Sequence, residues 1–163
     1  MERKVYVFSK RLFDKCMEEN GVPHAFPAKS MVMTNPISYI SISEPDEKSH
    51  WFWYSQPTVL NIDFWDVNGY DVEGIKGLTD EQAKTIYDFI DYAIEYCPFM
   101  NFYVHCRAGA SRSQAVAEFL RDCYGYEIER VADGKGFANQ HVLQLLKRMY
   151  NENHKNLYRP DNR

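Results

Sequence analysis

The chain has 163 residues, of which 45% are hydrophobic, and a formal net charge of -4 at pH 7. That length supports one substantial core, and with no Ser/Gly/Pro-rich linker it predicts a single domain over residues 1–163. The acidic balance excludes a surface that binds nucleic acid as a whole, so any phosphate site has to be a local basic pocket.

The first expected strand is "KVYVF", residues 4–8, whose apolar part is too short for a signal-peptide core or a membrane span. A cytoplasmic protein without membrane contact is expected. Charges return at Lys10 and Arg11, and a helix is expected over about residues 9–20, before a second strand "ISYISI" at 37–42. The aromatic run "WFWY", 51–54, is read as buried packing, with a stacking surface at a pocket rim as the sharper alternative. A third strand, "PTVLNI" at 57–62, leads into "LNIDFWDVNGYD", which carries Asp63, Asp66 and Asp71.

The strongest helix follows. Ile86, Phe89, Ile90, Ala93, Ile94 and Cys97 draw one apolar stripe, Thr79 with Gln82 supplies a capping box, and Pro98 ends the run. A fourth strand, "FYVH" at 102–105, precedes two amphipathic helices. One carries Val116, Phe119, Leu120 and Cys123 with Gly125 behind them, and the other carries Val142, Leu145, Leu146 and Met149. Alternating strands and helices predict an α/β fold, a central mostly parallel sheet flanked by helices.

Cys16, Cys97, Cys106 and Cys123 form no C-x-x-C pair, so neither zinc nor a disulfide framework is expected. Cys16, Cys97 and Cys123 lie in helices and read as packing residues. Cys106 stands where a strand stops and a glycine-containing loop turns into a helix, the end of the sheet where open α/β folds place ligands. His24, His50, His141 and His154 are isolated, lack metal spacing and read as solvated surface or loop residues.

The loop itself is "VHCRAGASRS", 104–113. If residues 107–112 curl around one point, backbone amides and the helix dipole form a cradle for a tetrahedral oxyanion. Arg112, six residues after Cys106, can bring a planar fork to two phosphate oxygens, and the same positive field favours the Cys106 thiolate. His105 could be a general base, but neighbours on a strand face opposite ways, so a structural role holding loop backbone is preferred.

"HCRAGASRS" matches the H-C-x-x-G-x-x-R-[ST] signature of cysteine-dependent protein tyrosine phosphatases, and its A-G-x-S-R-S ending resembles the compact dual-specificity group with its small bacterial and phage members. The resemblance extends from "TVLNI" through the C-terminal helix and implies a single-domain protein tyrosine phosphatase-like fold. It implies Cys106 as nucleophile, Arg112 as phosphate clamp and the backbone of Arg107, Ala108, Gly109, Ala110, Ser111 and Arg112 as cradle. Ser113 would help the thiolate leave.

The family also needs an acid on the loop after the preceding strand. Compact members place it six residues after the strand leucine, and Leu60 plus six is Asp66; no W-P-D triplet is present, so Asp63 and Asp71 stay open. Asn139, in "FANQHV", resembles an asparagine that braces the phosphate loop, with Ala138 in place of a proline. The implied activity is phosphomonoester hydrolysis through a phosphocysteine, without metal or cofactor. With Arg107 the one further cation in the loop, a phosphorylated protein is the expected partner, phosphotyrosine ahead of phosphoserine or phosphothreonine, and neither nucleic acid nor membrane is. The rival readings are a phosphate-binding pseudophosphatase and a rhodanese-like sulfur transferase.

Overall fold

The computed structural model describes residues 2–25, 36–47 and 49–154. In chain order its elements are β1 (Lys4–Ser9), α1 (Lys10–Glu19), β2 (Ile37–Ser43), β3 (Val59–Asp63), β4 (Asp71–Val72), β5 (Ile75–Lys76), α2 (Asp80–Tyr96), β6 (Asn101–Cys106), α3 (Arg112–Tyr124), β7 (Glu127–Arg130) and α4 (Gln140–His154). Five strands form one sheet in the order β3-β2-β6-β1-β7, and every pair in it is parallel.

Period-two alternation sorts the strand residues onto two faces. Val5, Val7, Ile40, Ile42, Leu60, Ile62, Phe102 and Val104 enter one core with the apolar stripes of α2, α3 and α4. Phe8, Tyr39 and Val59 enter a second core with Phe13 and Met17 of α1 and with Phe52. Covering both faces is what an all-parallel sheet requires. The aromatic run at 51–54 splits accordingly, with Phe52 fully buried and Trp53 and Tyr54 at 65% and 69% exposure.

Two helix ends fall where their sequence signals place them, and the start of α1 is capped by a residue expected inside the helix. Ser9 caps α1 through Leu12 N, Thr79 and Gln82 form the reciprocal box at the start of α2, and Gly125 closes α3 in the left-handed conformation at φ 75°. Cys97 sits at the C-cap of α2 and is partly buried, as are Cys16 and Cys123. Burial pushes the Cys16 and Cys123 thiols up, which suits packing rather than reactivity.

Three features depart from the expected elements. The third strand starts at Val59, because Gln56 and Val59 exchange backbone hydrogen bonds at 2.8 and 3.0 Å and hold Pro57 and Thr58 in a tight turn. β7 was not expected: only Ile128 in its "EIER" is apolar, and it joins the sheet as an edge beside β1. The segment 71–76 is a small antiparallel hairpin turned by Glu73 and Gly74, both at positive φ (52° and 83°), the left-handed pair that two-residue hairpins favour.

Strand order also picks out a site. From β2 the chain moves outward to β3 at one edge, whereas from β6 it runs through α3 to β7 at the other. Adjacent parallel strands whose continuations diverge leave a crevice at their carboxyl ends. Here those ends are Ser43, followed by Glu44, and Cys106. No helix among the described residues is long and apolar enough to cross a membrane.

Candidate active site

The loop between β6 and α3 is held from outside by its carbonyls. Arg107 O accepts from Lys10 N at 3.0 Å, Ala110 O from Phe137 N at 2.7 Å, Ser111 O from Asn139 N at 3.1 Å and Gly109 O from Arg130 Nη1 at 2.9 Å. In a trans peptide the following N–H points opposite to the carbonyl. Tying these carbonyls outward therefore aims the amides of Ala108, Ala110, Ser111 and Arg112 inward, toward the concave side of the loop. Gly109 allows the turn: its φ is +67°, and a Cβ there would lie 2.7 Å from both the Phe8 backbone and Ala132 Cβ.

α3 opens without a side-chain cap. Ser111 stands at the N-cap but gives its hydroxyl to Asp66 Oδ1 at 2.9 Å, so the first amides of the helix keep their positive partial charge for another acceptor. Cys106, 2% exposed, lies at the foot of this arrangement with its Sγ 3.1 Å from the buried Ser113 Oγ. A hydroxyl at that distance can donate to a thiolate and stabilise it as a leaving group.

Arg112 is buried beneath the loop. Its Nη1 donates to Phe64 O at 2.7 Å, its Nη2 donates to Glu44 Oε1 at 3.0 Å, and Nε has no partner among the described residues. The Phe64 ring lies 6.0 Å from the guanidinium carbon. The other oxygen of Glu44 takes Nη1 of Arg107 at 3.3 Å, with Glu47 Oε1 at 3.4 Å from the same atom. One nearly buried carboxylate thus fixes the orientation of the inner arginine and tethers the outer one. Glu44 was missed from sequence, where "SISEPD" carried no recognised feature; its one signal is an acidic residue directly after a strand at the ligand end of the sheet.

Of the three candidate aspartates, only Asp66 reaches the loop. Its Oδ1 accepts from Ser111 Oγ and from Asn139 Nδ2, at 2.9 and 2.8 Å. Asp71 is bound to Lys76 and Gly74 N within the hairpin, and Asp63 is paired with His50 at 2.5 Å. Asn139 braces both walls, though in a different way from the expected one. Its backbone amide holds Ser111 O, while its side chain holds Asp66 and Val67 O and caps Val142 N.

His105 is fully enclosed on the opposite face of β6 from Cys106, packed against Phe13 with ring centroids 4.4 Å apart and the planes tilted by 32°, and its Nε2 meets Ser41 Oγ at 2.6 Å. Burial, then the Lys10 charge, push its pKa down to about 3, so the ring is neutral. Ser41 Oγ in turn meets His50 Nδ1 at 2.6 Å. His50 is therefore not a solvated surface residue: the pairing of β2 with β6 and β3 brings it into a polar chain with residues distant in sequence. The other lone histidines also have partners. His24 meets Trp51 O, His141 meets Leu78 O and His154 stacks on Tyr150.

Among the described residues no group of three or more His, Cys, Asp or Glu is placed to hold a metal ion. No family model, curated protein or solved structure matches the chain. The functional reading therefore rests on the loop's own geometry and on the motif it carries.

Proposed function

We propose that this protein is a phosphomonoester hydrolase of the protein tyrosine or dual-specificity phosphatase kind, working through a phosphocysteine. The observation that carries the reading is the convergence, on one loop, of a buried cysteine, inward-facing amides, an uncapped helix N-terminus and an arginine, with Asp66 at the rim. A dianionic phosphoryl group matches each of these in charge and shape.

In the proposed reaction Cys106 Sγ attacks phosphorus in line, forming an S–P bond as the ester P–O bond breaks. The loop amides and Arg112 stabilise the equatorial oxygens, and protonated Asp66 gives its proton to the leaving oxygen. Water then attacks the phosphocysteine, Asp66 takes the water's proton, and the S–P bond breaks with the Ser113 hydroxyl donating to the departing sulfur. A metal ion is not required, since the cations and dipoles belong to the chain. A phosphorylated protein is the favoured substrate over a phosphoinositide, since the loop adds only Arg107 to the inner arginine, and phosphotyrosine is placed ahead of phosphoserine or phosphothreonine.

Phosphate release from para-nitrophenyl phosphate, with Cys106→Ser as the control, tests this directly. The wild type should turn over and the Ser variant should lose all activity while keeping its fold and its affinity for inorganic phosphate. Sulfur transfer from thiosulfate without phosphate release would instead identify the loop as a sulfur-transfer site.

A further inference from the structure

On the face of the sheet covered by α1, four polar side chains cross three strands in a continuous line. His105 Nε2 meets Ser41 Oγ at 2.6 Å, Ser41 Oγ meets His50 Nδ1 at 2.6 Å, and His50 Nε2 meets Asp63 Oδ1 at 2.5 Å. The first link follows from register, since Ser41 and His105 are direct partners between β2 and β6. Ser41 and His105 are fully buried, whereas the His50 and Asp63 side chains are 12% and 36% exposed. His50 and Asp63 also line a cavity of about 690 Å³ with Phe52, Trp53 and Asn61, so one end of the line is open and the other adjoins the nucleophile.

Counting hydrogens gives the line two states. With neutral His50, its single N–H goes to Asp63, the Ser41 hydroxyl donates to His50 Nδ1, and His105 donates from Nε2 to Ser41. All three contacts are made, but His105 Nδ1 is left as a bare acceptor in a dry interior, where it has no well-formed partner and adjoins the Cys106 backbone. With one more proton, His50 donates from both nitrogens, the Ser41 hydroxyl reverses toward His105 Nε2, and the single His105 hydrogen moves to Nδ1. The three contacts survive, and the Cys106 backbone gains a donor.

The surrounding charges favour placing that proton at the outer end. Lys10 from α1, Arg112 from the start of α3 and His50 itself all oppose a charge on His105, whereas Asp63 sits directly against His50. We propose that Ser41, His50 and Asp63 are positioning residues for Cys106: a proton held on His50 fixes His105 as the tautomer with hydrogen on Nδ1, turned to the Cys106 backbone. Their relevance to catalysis rests on the hydrolase reading above; the tautomer coupling does not.

Nitrogen-15 NMR of the imidazoles in the full chain tests the coupling, because pyrrole-type and pyridine-type ring nitrogens resonate far apart. In the wild type His105 should carry its hydrogen on Nδ1 wherever His50 holds two ring hydrogens and on Nε2 wherever His50 holds one, both read from the same spectra across pH. Asp63→Asn, which alters the acceptor at His50 Nε2, should change the pH of that switch, and Ser41→Ala should make the His105 tautomer indifferent to His50. The pH profile of Cys106 alkylation by iodoacetamide should shift with Asp63→Asn and lose its dependence on His50 in Ser41→Ala. A His105 tautomer unchanged across pH in the wild type, or following His50 equally well in Ser41→Ala, overturns the proposal. Absence of phosphate release from every form, with the tautomer switch and alkylation shift intact, would overturn the hydrolase reading and leave the positioning of Cys106 standing.

Discussion

Glu44 serves two arginines with one carboxylate, and the inner contact is nearly dry: the side chains of Arg112 and Glu44 are 3% and 11% exposed. Removing one partner of such a pair strands the other charge. Glu44→Ala should therefore cost about 3–5 kcal/mol in urea unfolding, while the isosteric Glu44→Gln, which still accepts from Nη2, should cost less. Glu44→Ala should also slow phosphate release, since Phe64 O alone would then orient Arg112, and Glu44→Gln should slow it less. Full stability in Glu44→Ala would show that the pair contributes nothing net. Asp66 is the complementary case, an exposed carboxylate that the proposed reaction uses as its acid. Asp66→Asn should cut turnover of a phenyl phosphate with a poor leaving group by roughly 10² to 10⁴ and remove the alkaline limb of the pH profile, because it can no longer deliver a proton. Asp71→Asn, remote in its hairpin, should leave turnover unchanged; the reverse pattern would move the acid to Asp71.

The loop and the start of α3 act as one element, and Gly109 is where that element meets β1. A Cβ at 2.7 Å from the Phe8 backbone cannot be relieved by rotating a side chain, and φ +67° is itself strained for alanine. Gly109→Ala should lose at least about 1–3 kcal/mol from the backbone conformation alone and should disturb the amide cradle. Thermal unfolding with a phosphate-binding measurement checks both; an unaltered melting temperature would mean that the loop adopts another path. The same element shows what was legible in the sequence and what was not. Local chemistry was: the Thr79–Gln82 box, the Gly125 stop and the apolar stripes of α2, α3 and α4 depend on residues within a turn or two of one another. That Cys106, Arg112 and Ser113 lie together at one loop was legible for the same reason, since they share one short motif. Glu44, Ser41 and His50 were not, because their contacts arise only when β2 lies beside β6, with Ser41 and His105 64 positions apart in sequence. β7 and the two-residue strands of the hairpin were hidden because their exposed faces leave almost no apolar pattern.

At the scale of the whole molecule, the line from His105 to Asp63 ties the central strand to the edge strand β3, so its protonation bears on the stability of the entire sheet. His105 is enclosed with a pKa pushed down to about 3, whereas an unfolded histidine titrates near 6.5. Between those values the unfolded chain binds a proton that the folded chain refuses, so folding stability must fall as pH falls. The loss begins near pH 6.5 and approaches about 1.4 kcal/mol per pH unit below it for this one group. Depressed carboxylates act lower: Asp71, held down by Lys76, Asp80, by Tyr70, and Asp122, by Arg121, bind protons in the unfolded chain only below about pH 4. Urea unfolding at pH 7, 6 and 5 therefore isolates the histidine window. His105→Gln, which keeps a donor for Ser41 but has no proton to gain, should start less stable and lose less than the wild type as the pH drops, the difference in slope belonging to His105. Equal slopes in the two proteins would mean that the enclosed imidazole accepts its proton without unfolding, and that the sheet tolerates a charge directly behind Cys106.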